Sequence, residues 1–224
     1  MIDRLLGIIA PHYCYGCGIV GAPLCDSCEY DIASEPYLAC IVCRKPAVRG
    51  ICLAHGGNIT QAWAVSEREG ALERLINAYK FERVRSASMA LVRLLDETVP
   101  DLLPGTIVAS IPTVRSHVRI RGYDHAELLA KQLAKRRKLP YRRLLIRQTN
   151  DVQRGANRAL RKKQAAAAFA SRPAKAPASV LLVDDVVTTG FTLLYAAETL
   201  RASGVKTVYA AVVAKQPLDQ KEKI

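Results

Sequence analysis

The sequence predicts an α/β fold: a mostly parallel sheet flanked by helices, with a small metal-binding module ahead of it. Three observations carry this reading. Apolar runs of strand length alternate with helix-length amphipathic segments over much of the chain. All seven cysteines fall between Cys14 and Cys52. The stretch "LLVDDVVTTGFT" (181–192) passes from apolar to acidic to small, hydroxyl-rich residues within a dozen positions, as a strand-to-helix junction serving a ligand would.

The cysteines form two sets. Cys14, Cys17, Cys25 and Cys28 are spaced C-x2-C-x7-C-x2-C; Cys40, Cys43 and Cys52 with His55 are spaced C-x2-C-x8-C-x2-H. Two residues between ligands let a tight turn present both side chains to one ion. Two such turns complete a tetrahedron, and thiolates with one imidazole suit Zn²⁺. An iron–sulfur cluster also takes four thiolates, but the doubled spacing is the better match to a zinc ribbon. Disulfides need an oxidising compartment. The short N-terminal apolar patch lacks a cleavage site and does not read as an export signal. No run approaches a membrane span, so a cytoplasmic protein without membrane insertion is expected. Segments this short cannot bury a core, so metal would supply their folding energy, on the order of 10 kcal/mol per site. Closed four-ligand sites leave no position for a substrate, and both zinc ions are expected to be structural. His12 is a competing histidine. The double ribbon is expected over 10–60, the α/β domain over 61–216 and a flexible tail over 217–224.

In residues 64–100, Leu72, Leu75, Ile76 and Tyr79 recur at helical spacing, as do Leu91, Leu94 and Leu95. Two helices joined near Phe81–Arg85 follow. "TIVASIPT" (106–113) reads as a short strand, "DHAELLAKQLAKRRK" (124–138) as an amphipathic helix and "RRLLIRQ" (142–148) as a strand. Residues 150–170 are basic and Ala-rich, and a mobile, partly helical loop is expected; "RPAKAPAS" (172–179) is a connector. Then come a buried strand over 180–184, a helix from about Phe191 to Ser203 and a final strand over 207–215.

The net charge of +13 is concentrated. Residues 113–163 hold 16 Lys or Arg against Asp124, Glu127 and Asp151, which is 16 − 3 = +13; the remainder has 17 of each sign. A face this positive draws nucleic acid, phosphorylated small molecules or an acidic partner. A short run such as "KRRK" (135–138) is by itself an ordinary solvated helix face.

Ligands of open α/β sheets bind beyond the C-terminal strand ends, where Asp184 and Asp185 fall. Thr188, Thr189, Gly190, Phe191 and Thr192 then turn into a helix, whose first amides lack internal partners and carry partial positive charge. The pattern of a Walker loop is absent. Acids beside a phosphate cradle suit a polyhydroxy sugar phosphate, with Mg²⁺ as a fitting ion.

"VLLVDDVVTTGFT" (180–192) resembles the phosphoribosyl-pyrophosphate signature of the type I phosphoribosyltransferases. By that resemblance Asp184 and Asp185 hold the ribose hydroxyls, and Thr188, Thr189, Gly190 and Thr192 hold the 5′-phosphate. Mg²⁺ accompanies the diphosphate, which Ser110 to Thr113, Arg119 and Arg121 are placed to meet. Arg147, Arg154, Arg158, Arg161 and Lys163 would close over the ligand. The order of a double cysteine ribbon, "YKF" (79–81), "RIRGYDHAELLAK" (119–131), "RQTNDVQRG" (147–155) and the ribose motif is similar throughout to the ComF family. That family is associated with natural competence, the uptake of external DNA. The resemblance implies a type I phosphoribosyltransferase-like domain that binds phosphoribosyl pyrophosphate, affinity for single-stranded DNA and a competence helicase as partner. The alternative is an active Mg²⁺-dependent transferase with an unidentified acceptor. The chain departs from the family's usual R-x-R-G-F-N-Q at Asp124 and His125, the only nearby titratable candidates for a base, and Arg49 stands at a usual cysteine position with His55 as its substitute.

Overall fold

A computed structural model describes residues 12–148, 168–172 and 175–218. In chain order the elements are α1 (Asp26–Ala33), β1 (Gln61–Glu67), α2 (Gly70–Phe81), α3 (Ala87–Thr98), β2 (Ile107–Ser110), α4 (Arg115–Arg121), α5 (His125–Arg136), β3 (Leu145–Arg147), β4 (Phe169–Ser171), β5 (Ser179–Val187), α6 (Phe191–Ala202) and β6 (Thr207–Lys215). Four strands form one all-parallel sheet in the order β1-β6-β5-β2. The short β3 and β4 make a separate antiparallel pair.

Strands buried on both faces read as continuous apolar runs, because a parallel sheet is covered by helices on each side. The burial pattern bears this out: β2 is buried at all four positions and β5 from Ser179 to Val183. One face of the sheet (Val65, Val108, Leu181, Val183, Ala211, Val213) packs against α2, α3 and α5, and the first cysteine set joins it through Cys14 and Leu24. The opposite face (Ala62, Ala64, Ala109, Leu182, Val208, Ala210) packs against α6, the β3–β4 pair and the second cysteine set, through Cys40, Ile41 and Val42. The two knuckles therefore sit on opposite faces.

Four differences from the sequence reading have physical causes. The segment 64–100 begins as a strand. In "QAWAVSE" Ala62 and Ala64 face one way and Trp63 the other, and backbone pairing with β6 decides in favour of β1. The helix then starts only at Gly70. The strand over 142–148 shrinks to β3, since its partner β4 has only three residues; Tyr141 instead adds a parallel bridge beside Val108. The end of the expected 150–170 loop forms β4, while 149–167 lie outside the described residues. Finally, β5 does not stop at Asp184. The long β6 keeps pairing with it, Asp184 opposite Val212 and Val187 opposite Lys215. The acids thus lie within a strand that continues to the buried Val187, rather than at the start of a loop. No helix among the described residues is long and apolar enough to cross a membrane.

Candidate functional site

The site lies where the parallel strands end, as an open α/β sheet requires. Three elements meet there: the end of β5 with its turn into α6, the segment after β2, and the last turn of α2.

Asp184 and Asp185 are half-buried. Asp184 Oδ1 accepts the amide of Asp185 at 2.8 Å, and Asp185 Oδ1 accepts that of Val186 at 2.6 Å. The Lys80 ammonium lies 2.8 Å from Asp185 Oδ1, both side chains only 13% exposed. Burial pushes the Asp184 carboxyl up to about 8, reinforced by the negative charge of Asp185 and opposed by the amide of Asp185 and by Lys80. A carboxyl perturbed upward in this way is of the kind found at ligand sites.

The turn after β5 exposes Thr188, half-buries Thr189 and Thr192, and buries Gly190. Gly190 caps α6 with φ 77°, a left-handed conformation that favours glycine. A Cβ there would meet Val42 Cγ2 at 2.8 Å and the Ile41 carbonyl at 3.1 Å. The close approach that demands glycine here is thus that of the second knuckle. Lys215, buried at the end of β6, donates to the Ile41 carbonyl at 2.8 Å and to the Thr188 carbonyl. The first amides of α6 have no intrahelical acceptor, which keeps the turn suited to an anion.

After β2, Ser110 is nearly buried and shares a 3.1 Å hydrogen bond with the Tyr141 hydroxyl. The Thr113 hydroxyl donates to Asp124 Oδ1 at 2.8 Å and its amide to Oδ2 at 3.3 Å. The same Asp124 caps α5 by accepting the amide of Glu127 at 3.1 Å. So Asp124 is a structural tie between the diphosphate segment and α5. His125 is 1% exposed. Its ring packs 4.7 Å from Tyr79 and 4.4 Å from Tyr123, with Nε2 at 3.1 Å from the Tyr79 carbonyl and Nδ1 without a partner. Burial lowers its pKa to about 4. Both lie within electrostatic reach of the strand-end acids, His125 of Asp185 and Asp124 of Asp184, while their own hydrogen bonds tie them to α2 and to Thr113.

The motif 79–81 joins these parts. Tyr79 donates its hydroxyl to the His125 carbonyl at 2.8 Å, and its own carbonyl receives the Tyr123 hydroxyl at 2.6 Å. Lys80 reaches Asp185 and Phe81 lies under Arg121, 5.4 Å from guanidinium to ring centre. Sequence reasoning noticed this triplet without giving it a role; an apolar helix face interrupted by a lysine was the available signal.

A groove of about 430 Å³ runs from Ser110 and Thr113 past Arg115, Arg119, Arg143, Arg147 and Arg172. Arg147 is half-buried, its Nη1 3.3 Å from the Pro112 carbonyl and its guanidinium 5.5 Å over Phe169. Burial lowers its pKa and the charge of Asp184 opposes this, which puts Arg147 within electrostatic reach of the acid pair. Arg119 faces solvent and Arg121 stacks on Phe81. Arg154, Arg158, Arg161 and Lys163 lie outside the described residues. The "KRRK" run is partly structural, since Arg136 and Arg137 pair with Asp96 at 2.5 and 2.7 Å. A larger cleft, about 820 Å³, lies elsewhere, between the first knuckle, α1 and the start of α2, and is lined by Asp31, Glu35, Glu67 and Glu69. Its acidic lining does not suit a phosphate.

The eight expected metal ligands gather as two groups of four, each with its donor atoms within 4.8 Å of one another. Sulfurs of Cys14 and Cys25, and of Cys17 and Cys25, are 3.6 Å apart; those of Cys43 and Cys52 are 3.7 Å apart. Tetrahedral zinc with bonds of about 2.3 Å places neighbouring sulfurs about 3.7 Å apart. His55 Nδ1 stands 3.2 Å from Cys52 Sγ and 3.8 Å from Cys40 Sγ, completing the second group. Both groups can hold a zinc ion. His12 is exposed and belongs to neither.

Residues 121–224 match the family model of the phosphoribosyl transferase domain, which takes in β5, the acid pair and α6. The fold and the strand-end site thus define a phosphoribosyltransferase-domain protein. The chain is also 29% identical over 202 residues to Competence protein F of Haemophilus influenzae, across 83% of this chain and 87% of the relative. The chain is thus similar to a competence protein over most of its length and to a phosphoribosyl transferase domain over its C-terminal part.

Proposed function

We propose that this is a cytoplasmic accessory protein of DNA uptake that binds phosphoribosyl pyrophosphate through its phosphoribosyltransferase domain and handles single-stranded DNA. The observation that carries the reading is the acid pair of β5 set directly before the helix-start turn Thr188–Thr192. Carboxylates accept from sugar hydroxyls, while helix-start amides and threonine hydroxyls take a terminal phosphate. The ribose would lie over Asp184 and Asp185 with its 5′-phosphate at Thr188, Thr189 and Thr192. The diphosphate would extend toward the segment Ser110–Thr113 and Arg147, with Mg²⁺ as its counter-ion.

The arginine groove supports the second half. Arg115, Arg119 and Arg172 are exposed and aligned with the diphosphate end, and a phosphate backbone would bind there with an affinity that falls as salt rises. A helicase partner is the expectation that accompanies a competence role. Zinc in both knuckles is structural in this reading.

One observation favours an active transferase instead. The Asp184 carboxyl, pushed up to about 8, can hold or release a proton near neutrality.

Calorimetry with phosphoribosyl pyrophosphate on the native protein and on Asp184→Asn/Asp185→Asn tests the ligand. Binding should be present in the first and weakened at least about tenfold in the second. Unchanged affinity overturns the site. Anisotropy of labelled single-stranded DNA should show a steep salt dependence that Arg119→Ala/Arg172→Ala reduces. Release of pyrophosphate on addition of an acceptor would favour the transferase.

A further inference from the structure

Two adjacent acids at a sugar-phosphate site invite a divalent cation, and their surroundings test the fit. Mg²⁺ demands near-octahedral oxygen ligands and keeps several waters. Here Asp184 Oδ1 is engaged by a backbone amide, and Asp185 Oδ1 by another amide and by the Lys80 ammonium at 2.8 Å. Lys80 is no loose surface lysine. Its neighbour Tyr79 is wholly buried and hydrogen-bonded in both directions, through its hydroxyl to His125 and through its carbonyl to Tyr123. That anchorage fixes the last turn of α2 and delivers the ammonium to Asp185. On the other side, Arg147 lies within electrostatic reach of Asp184. The Lys80 ammonium therefore already opposes the acid pair, and a hard ion seated there would face it at close range. The residues do not fit Mg²⁺ at this position.

We propose that Lys80 is the resident cation of the ribose end of the site: its ion pair holds the Asp185 carboxylate oriented for sugar hydroxyls, so that the sugar is bound without a metal and Mg²⁺ enters only as the counter-ion of the diphosphate. The inference rests on the phosphoribosyl-pyrophosphate reading above. Lys80 acts through Asp185 and is a positioning residue. It gives the triplet 79–81 a division of labour, with Tyr79 anchoring the α2 terminus and Lys80 charging the site.

The test uses the full chain and reads metal dependence, which loss of packing alone would not move. Phosphoribosyl pyrophosphate is titrated with and without Mg²⁺ into the wild type, Lys80→Met and Lys80→Arg. When Mg²⁺ is withheld the wild type should lose only the share of affinity that the counter-ion gives the diphosphate. Lys80→Met should lose at least about tenfold more than the wild type without Mg²⁺ and recover most of it with the ion, and Lys80→Arg should follow the wild type. Separately, Mn²⁺ alone is titrated and followed by electron paramagnetic resonance. The wild type should hold no ion at these acids; Lys80→Met should gain one, lost again in Lys80→Met/Asp185→Asn. A metal dependence of the wild type that Lys80→Met leaves unchanged, or Mn²⁺ bound by the wild type and lost in Asp185→Asn, overturns the role of Lys80. Failure to bind phosphoribosyl pyrophosphate under every condition strikes the ligand reading instead, and the Mn²⁺ titrations then decide the role of Lys80 by themselves. Should Lys80→Met not fold, Lys80→Arg and the wild-type titrations still decide.

Discussion

Lys215 and Ile41 lie 174 positions apart in sequence, yet the buried Lys215 ammonium donates to the Ile41 carbonyl at 2.8 Å and at once to that of Thr188. Ile41 stands between the candidate metal ligands Cys40 and Cys43, and Thr188 opens the turn proposed for the phosphate, so one side chain ties the second knuckle to that turn. Loss of the second metal should therefore weaken phosphoribosyl pyrophosphate binding. Cys52→Ser is expected to lower the zinc content from about two to about one per chain and the affinity about tenfold or more. Cys17→Ser, on the opposite face, should lose one zinc with affinity nearly unchanged. Mass spectrometry and calorimetry on the same samples check both numbers.

Gly190→Ala should be destabilising for two reasons that act together. Its φ of 77° is strained for any residue with a Cβ, and that Cβ would press on Val42 and the Ile41 carbonyl. A cost of about 2–4 kcal/mol is expected, read as a lowered denaturant midpoint. Val42→Ala in the same chain should recover part of it, because Val42 supplies the nearest clash.

His125 predicts a pH dependence of stability. Its folded pKa is lowered from 6.5 to about 4 by burial, so the unfolded chain binds more protons between those values. The stabilisation is complete above pH 6.5 and is lost as the pH falls toward 4, by about 3 kcal/mol at most. His125→Gln should flatten the stability profile in this window, measured by chemical denaturation at a series of pH values.

Asp184 works in the opposite sense. Its folded pKa is raised from 3.8 to about 8, so its contribution erodes stability as the pH rises through that range. Asp184→Asn should make the ligand-free protein more stable at neutral pH, by about 1–3 kcal/mol, while weakening phosphoribosyl pyrophosphate. A thermal shift measured with and without the ligand separates the two effects.

Asp124→Ala should cost about 1 kcal/mol for the lost helix cap and should also free Thr113. Diphosphate binding ought to weaken along with stability, whereas Asp124→Asn should keep the cap and most of the affinity. Calorimetry with inorganic pyrophosphate reads the difference.

Much of this was legible in the sequence because the signals were chemical and local. The cysteine spacing anticipated both ligand groups, and the acid pair before Thr188–Thr192 marked the strand-to-helix junction that the structure has. The helical periodicity around Leu75 and Leu94 also matched α2 and α3. What stayed hidden depended on partners distant in the chain. Strand β1 exists because β6 pairs with it, and its seven residues give no periodic signal strong enough against the helix that follows. The extension of β5 past Asp184 likewise comes from β6. The packing of Val42 against Gly190 was hidden too, since nothing nearby in sequence reveals it. The roles of Lys80, Asp124 and His125 were illegible for the same reason: each is defined by a contact with another element.

The arrangement of the central sheet also orders events during synthesis. Both knuckles leave the ribosome early, but the strand that joins β1 to β5 is β6, made near the end of the chain. Until β6 emerges, the Ile41 carbonyl lacks the Lys215 ammonium, and Arg44 lacks the Gln216 carbonyl it finally grips. The nascent protein thus carries two small metal-dependent modules waiting on an unfinished sheet. Zinc supply during translation, rather than after it, is what would decide how many chains reach the folded state.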